Sequence, residues 1–290
     1  MSGSRGGAAA ADLTDPATLQ AVARRVGLVA RHRLGQNFLI DRDVLDDIVA
    51  ALAIEATDDV FEIGPGIGTL TGELARRARR VVAVDLDERC VAATRITQRD
   101  RPNVEVAQGD ALRVDIASFG IGEGWLAAGN IPYSITTPLL TRLYEMADPP
   151  RRGVFLVQRE VAARLAAGPG AWSLATVAVR SVATVERLRD VTPASFEPAP
   201  AVHSSVIRLT PAAGLDAAAR QSVLDVARAA FQMRRKTLRH GITHAAGGDE
   251  ALGVAWLREA AIDPGRRPGT LDLAEWHRIA VAARTLPGHP

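Results

Sequence analysis

Five short strand-like runs, four of them mainly apolar, punctuate the first half of the chain, and segments with helical spacing of apolar residues fall among them. The runs are Val60–Ile63, Val81–Asp85, Val104–Val106, Trp125–Ala128 and Val154–Val157. Helices are predicted over Asp43–Leu52, where Val44, Leu45, Ile48, Val49 and Leu52 recur at helical spacing, and over Thr71–Arg79, Glu88–Arg99 and Pro138–Met146. A near-continuous apolar run followed by a helix, repeated, predicts an α/β fold with a parallel sheet covered by helices on both faces. In such sheets ligands bind beyond the C-terminal ends of the strands. Those ends carry an ordered series here: Gly64, Asp85, Asp110 and Asn130.

The N-terminal flank is read as a disordered Gly/Ala/Ser-rich tail over residues 1–12, a helix capped by Thr14 and running to about Val26, and a basic loop containing Arg31, His32 and Arg33. Beyond Val161 the rhythm changes. Val185–Val191 and Val202–Leu209 read as an antiparallel edge hairpin around a proline-rich stretch, Pro193–Pro200. From there the pattern is helical: Ala217–Ala230, Phe231–Ala245, Ala251–Ala260 and Leu273–Arg284. The expected organisation is a larger domain over 13–210 and a smaller all-helical domain over 211–290.

Composition excludes classes more than it selects one. A single cysteine, Cys90, rules out a disulfide framework within the chain and any thiolate metal cluster, and no metal site is expected. No run approaches the 18 or so apolar residues of a membrane span, and the N-terminus lacks signal-peptide features, so a cytoplasmic protein is expected. The net charge of +2 and a pI near 9.2 permit a nucleic-acid partner without requiring one.

Glu62-x-Gly64-x-Gly66-x-Gly68 follows a strand and opens a helix. Its glycines allow a tight turn and a close approach of backbone to ligand. Asp85 follows at about 20 residues, the distance at which an acid reaches a ribose diol. The G-x-G-x-G spacing disfavours a dinucleotide, and so a nicotinamide oxidoreductase. It favours a nucleoside with an amino-acid tail such as S-adenosylmethionine, whose ammonium suits Glu62. Asp110 could accept from an adenine amino group. Asn130-Ile131-Pro132-Tyr133 then offers what an exocyclic amine needs beside a methyl donor: an amide oxygen, a carbonyl turned outward before proline, and an aromatic face.

Together with Leu34-Gly35-Gln36-Asn37-Phe38-Leu39, Gly64–Thr71, Gly109–Leu112, Val157–Ala162, Phe196–Pro200 and Arg234–Arg239, these motifs resemble the ribosomal RNA adenine dimethyltransferases from about His32 to Ile279. The resemblance implies a Rossmann-like S-adenosylmethionine-dependent methyltransferase sheet with a smaller all-helical C-terminal domain. It implies that Asn37, Leu39, Gly64, Gly66, Gly68, Asp85, Asp110, Ala111 and Asn130 line the donor pocket. The Asn130 side chain and Ile131 carbonyl would accept from the target N6, while Tyr133 and Phe196 stack on a flipped adenine. Arg234, Arg235, Lys236 and Arg239, read as one helix face, would contact rRNA phosphates.

Ile262–Leu271, Leu273 with Trp276, and Arg235–Arg239 resemble the branch that dimethylates two adjacent adenines near the 3′ end of small-subunit rRNA during ribosome biogenesis. The partner implied is an immature small ribosomal subunit, and a monomer is expected. A large-subunit methyltransferase of the macrolide-resistance type and a non-catalytic assembly factor are the alternatives. Asp85 and His203 depart from the family pattern. His32, His203 and His240 lack metal-ligand spacing, and Cys90, Trp172, Trp256 and Trp276 read as packing residues.

Overall fold

The computed structural model describes residues 12–28, 36–132 and 134–286. It divides into two compact units. The first comprises the described residues up to Thr136 together with Pro150–Gln158 and Leu188–Arg208; the second comprises Thr137–Pro149, Arg159–Arg187 and the described residues from Leu209. The helical C-terminal part therefore shares its unit with two earlier stretches of chain, rather than beginning at a single boundary near 211.

The first unit holds most of a seven-stranded mixed sheet, five strands of it whole and the last two in chain order in part. In chain order its strands are β2 (Asp59–Ile63), β3 (Arg80–Asp85), β4 (Val104–Gln108), β5 (Leu126–Asn130), β6 (Arg152–Gln158), β7 (Ala183–Val191) and β9 (Ser204–Pro211). The spatial order is β4-β3-β2-β5-β6-β9-β7. The first five strands run parallel, with Val60 beside Val81 and Leu126. The bonds Ser205–Asp190 and Thr184–Thr210 pair rising with falling numbers, so β7 and β9 form an antiparallel hairpin at the sheet edge, as their sequence predicts. A further pair went unforeseen: β1 (Phe38–Leu39) lies antiparallel to β8 (Phe196–Glu197), Leu39 opposite Phe196.

The helices of this unit are α1 (Pro16–Arg25), α2 (Arg42–Leu52), α3 (Thr69–Ala75) and α4 (Glu88–Thr97). The pleat sends alternate strand residues to opposite faces. Val60, Val81, Leu126, Ala128, Val154 and Leu156 bury one face against Leu45, Ile48, Val49 and Leu52 of α2 and Leu70 and Leu74 of α3. On the other face Phe61 meets Trp125 edge-on, with ring centroids 6.1 Å apart. Helix starts differ from expectation by a residue or two. Asp15, not Thr14, caps α1, because its carboxylate accepts from the Ala17 and Thr18 amides, while Thr14 is occupied with Asp12.

The second unit contains α5 (Thr136–Glu145) from its second residue, α6 (Arg159–Ala166), α7 (Leu174–Arg180), α8 (Ala217–Gln232), α9 (Leu238–Ala245), α10 (Glu250–Glu259) and α11 (Leu273–Thr285). Its core gathers Trp172, Val223, Leu238, Ile242, Trp256, Leu257, Trp276 and Ile279, so the three tryptophans do pack inside. The helix expected over Phe231–Ala245 is broken at residues 233–237. Met233 closes α8, Thr237 stands at the N-cap of α9, and the first amide of α9 bonds the Arg266 carbonyl at 2.6 Å.

Candidate active site

The C-terminal ends of β2, β3 and β5 and the loop after β4 open onto one cavity of about 260 Å³, lined by residues of the first unit alone. Ten of the expected site residues line it: Asn37, Leu39, Glu62, Gly64, Gly66, Asp85, Asp110, Ala111, Asn130 and Pro132.

The turn after β2 is shaped by glycine. Gly64 and Gly66 have φ of +69° and +61°, a region that costs other L residues about 1–2 kcal/mol. A Cβ on Gly66 would also stand 2.9 Å from the Phe38 ring. The turn is held to β3 by two bonds: Gly64 N–H to the Val84 carbonyl at 2.9 Å, and Gly66 N–H to Asp85 Oδ2 at 3.2 Å. Asp85 Oδ1 accepts from the Asp87 amide at 2.9 Å. Burial pushes the Asp85 carboxyl up to about 6 against those two amides.

Glu62 is 1% exposed. It shares the sheet face of Val60, between Ala83 and Ala128 on the neighbouring strands. Its Oε2 is buried without a hydrogen-bond partner among the described residues. Burial pushes its carboxyl up to about 8; the hydrogen-bonding capacity of the adjacent Thr71 hydroxyl opposes this and the Asp85 charge adds to it.

At the end of β5, Gly129 is obligatory, since a Cβ there would meet the Ile63 carbonyl oxygen at 2.4 Å. This close approach seats Asn130 beside the glycine turn. The Asn130 Nδ2 donates to the Asn37 backbone carbonyl at 2.8 Å. A carbonyl only accepts, so the amide orientation is set: the NH₂ is tethered and Oδ1 remains to accept from a ligand. The strap that carries Asn37 is itself fastened on both sides. Gln36 donates to Asp87 Oδ2 at 3.1 Å, and the Ile40 amide donates to the Ser195 carbonyl at 2.9 Å.

Other expectations need correction. Gly68 caps α3 and does not line the cavity; a Cβ there would collide with Thr97 of α4 and its C-cap Gln98 at 2.7–2.8 Å, so its role is helix packing. Ile131, expected to act through its backbone carbonyl, has a buried side chain and an amide bonded to Leu156, neither of which bears on that carbonyl. Phe196 is 3% exposed in the core beside Leu39, which removes it from base stacking. Arg234, Arg235 and Lys236 lie exposed in the turn between α8 and α9 rather than on a helix face, and Arg239, near the start of α9, stands 3.7 Å from Glu250. Tyr133, Arg31, His32 and Arg33 lie outside the described residues. His203 is exposed, and exposed His240 bonds Thr237 at 3.0 Å. Cys90 is core-buried as expected, yet also lines the cavity; burial pushes its thiol up.

Leu86 was missed. It follows the strand-end acid, is 59% exposed and lines the cavity. A large apolar residue in a turn directly after that acid was the available signal. Charge is informative too. Glu62, Asp85, Asp87 and Asp110 line the cavity, and no Arg, Lys or His does so among the described residues. Such a lining repels a pyrophosphate and suits a ligand carrying ammonium and sulfonium charges. The orphaned Glu62 oxygen and the glycine cradle therefore fit S-adenosylmethionine.

Known proteins resemble this chain over most of its length. A 39% identical relative, the ribosomal RNA small subunit methyltransferase A of Geobacter metallireducens, aligns over 91% of this chain and 99% of its own length. The solved 23S rRNA methyltransferase ErmE superposes with a TM-score of 0.67 at 26% identity, covering 85% of this chain and 99% of that one. A dimethyladenosine transferase from Plasmodium falciparum shares the fold, with a TM-score of 0.70 at 24% identity over 86% of this chain and 98% of its own. The family model described as ribosomal RNA adenine dimethylase matches residues 27–282. The chain belongs to the ribosomal RNA adenine dimethylase family, S-adenosylmethionine-dependent methyltransferases that act on rRNA.

Proposed function

We propose that this protein transfers methyl groups from S-adenosylmethionine to N6 of two adjacent adenines near the 3′ end of small-subunit rRNA, on an immature small ribosomal subunit. The observation that supports the reading is the Asn130 amide, tethered through its NH₂ to the Asn37 carbonyl, on a residue that lines the same cavity as the glycine turn and Asp85.

The bound cofactor supplies an electrophilic methyl on a positively charged sulfur. The chain's own part is orientation and acceptor placement. An adenine amino group is a weak nucleophile because its lone pair is delocalised into the ring. Asn130 Oδ1 and the Ile131 carbonyl accept its N–H groups and stabilise the positive charge that develops on nitrogen. The Gly64–Gly66 turn and Asp85 hold the nucleoside of the donor. Pro132, Ser134 and Ile135 line the cavity beside Asn130, where they exclude water from the target base. Arg234, Arg235 and Lys236 make no side-chain bond among the described residues and are open for phosphate contact, joined by Arg239.

Identity of 39% to a small-subunit enzyme, against 26% to a large-subunit one, favours the small-subunit target. We assign the protein to the cytoplasm as a monomer; among the described residues no helix is long and apolar enough to cross a membrane. Mass spectrometry of rRNA, after incubating the protein and S-adenosylmethionine with small subunits and separately with large-subunit RNA, tests the reading. Dimethyladenosine in adjacent residues of small-subunit RNA is expected. Product confined to large-subunit RNA, or no product from either, would refute it.

A further inference from the structure

We propose that Arg76 and Arg101, with Arg77 at the rim, form a clamp for a backbone phosphate of rRNA on the first unit. This contact surface is separate from the donor cavity and from the Arg234–Lys236 turn of the second unit. The inference rests on the family's action on rRNA and not on the choice of a small-subunit target.

The sequence supplies the charge. Residues 76–80 read Arg-Arg-Ala-Arg-Arg, and residues 99–101 read Arg-Asp-Arg. Several of these have their own partners: Arg79 pairs with Asp59 at 2.8 Å, Arg80 with Glu105, and Arg99 with Asp100 at 3.3 Å. Glu73, 7% exposed, is left to answer the rest. It takes Arg42 and Arg76 at 2.6 Å and Arg77 at 3.6 Å. Arg42 has Asp12 as well, at 3.2 Å. Arg101 has neither an ion-pair partner nor a side-chain hydrogen bond among the described residues. Three guanidiniums, of Arg76, Arg77 and Arg101, therefore face one carboxylate, which Arg42 shares.

Folding holds Arg101 in place. Gln98 closes α4, is 5% exposed, and donates to the Gly68 carbonyl at 2.9 Å, which pins the end of α4 to the start of α3. The Arg101 amide bonds the Gln98 carbonyl at 2.9 Å. Its guanidinium then lies over Gly72, with Nη2 3.8 Å from the point a Cβ on that glycine would occupy. Gly72 and Arg76 are four positions apart and share a helix face, so the two guanidiniums are neighbours. Burial first, and the Arg76 charge second, weaken the hold of Arg101 on its proton, against the pull of Glu73. Glu73 engages only Nη1 of Arg76, which leaves Nε and Nη2 for a second partner. Two like charges side by side call for an anion, and guanidinium forks match phosphate oxygens. The Arg101 side chain is half-buried and fixed, while that of Arg76 is 50% exposed and free to swing onto the same phosphate.

The test is arginine modification by phenylglyoxal, mapped by mass spectrometry on the full-length protein. It is run alone, with S-adenosylhomocysteine, with inorganic phosphate, with deproteinised small-subunit rRNA and with large-subunit rRNA, at equal ionic strength. RNA should slow modification of Arg76 and Arg101 at least fivefold, and S-adenosylhomocysteine should not; Arg228, exposed on α8, should stay reactive throughout. Protection by inorganic phosphate alone, or by neither RNA, would overturn the proposal. Which of the two RNAs protects bears on the small-subunit assignment and not on the clamp. The Arg76→Gln/Arg101→Gln double variant should bind the protecting RNA with a slope of log K on log salt shallower by about 0.7–0.9, the share of one phosphate. Over the decade from 1 M to 0.1 M salt that slope amounts to about five- to eightfold weaker binding. Its affinity for S-adenosylhomocysteine should equal that of the native protein, and Arg101→Lys should retain the native slope. An unchanged slope in the double variant would overturn the proposal, and the modification pattern of the native protein decides the matter even if the variant fails to fold.

Discussion

Replacing Asn130 by aspartate exchanges one NH₂ for an oxygen and leaves the side-chain volume nearly unchanged. The exchanged atom is the one that donates to the Asn37 carbonyl at 2.8 Å. In the ionised variant two oxygens would face each other at that distance. The bond itself contributes about 0.5–1.5 kcal/mol. The larger loss is orientational: the side chain must rotate to escape the repulsion, and the acceptor leaves its place. One misplaced transition-state partner costs about 2.7–4 kcal/mol, or 10²- to 10³-fold in kcat. Asn130→Asp is therefore expected to lose about 10²-fold or more in single-turnover methyl transfer at pH 8, although a carboxylate is intrinsically the better acceptor. rRNA affinity should stay within about threefold of the native value. Lowering the pH toward 6 should restore part of the rate, because a protonated carboxyl donates to the Asn37 carbonyl again. A rate at pH 8 within tenfold of the native enzyme would refute the tether as the orienting device.

Three further outcomes follow from the same geometry. Glu62 has its folded-state titration raised from 4.5 to about 8, so its stabilising contribution is complete below pH 4.5 and is lost as pH rises toward 8, by roughly 4–5 kcal/mol in all. Urea unfolding of the ligand-free protein at pH 5 and pH 8.5 should therefore show the advantage of Glu62→Gln growing with pH, and an advantage independent of pH would remove the argument. Gly129→Ala puts a methyl group 2.4 Å from the Ile63 carbonyl oxygen and should destabilise by about 1–3 kcal/mol while reducing methyl transfer; a thermal midpoint equal to the native one would contradict the obligatory close approach. Charge reversal at Arg234 and Arg235 should weaken rRNA binding and flatten the dependence of log K on log salt, whereas an unchanged slope would leave both as ordinary solvated charges.

Some of this was legible residue by residue. Four of the five strands of the parallel half are mainly apolar runs short enough to be recognised alone, and the cavity-lining residues stand at or just beyond the strand ends, which is why Gly64, Asp85, Asp110 and Asn130 could be named in order. The edge hairpin was legible from two β runs, Val185–Val191 and Val202–Leu209, flanking a proline-rich stretch. The Arg234–Lys236 turn was not: Leu238 and Ile242 continue the apolar spacing of Phe231, while the break is made by the α9 amides bonding the distant Arg266 and Pro264 carbonyls.

Local pattern, then, determined the element order, the glycine turn and the placement of acids at strand ends, because each depends on residues within a few positions of one another. The tertiary structure alone decided what remote segments do to each other. A two-residue strand has no period to read, so nothing near Phe38 and Leu39 announces their pairing with Glu197 and Phe196, the contact that turns Phe196 from a stacking surface into core. Asn37 and Asn130 lie 93 positions apart, and only folding brings the carbonyl of one to the amide of the other, where a single hydrogen bond fixes the orientation of the Asn130 amide.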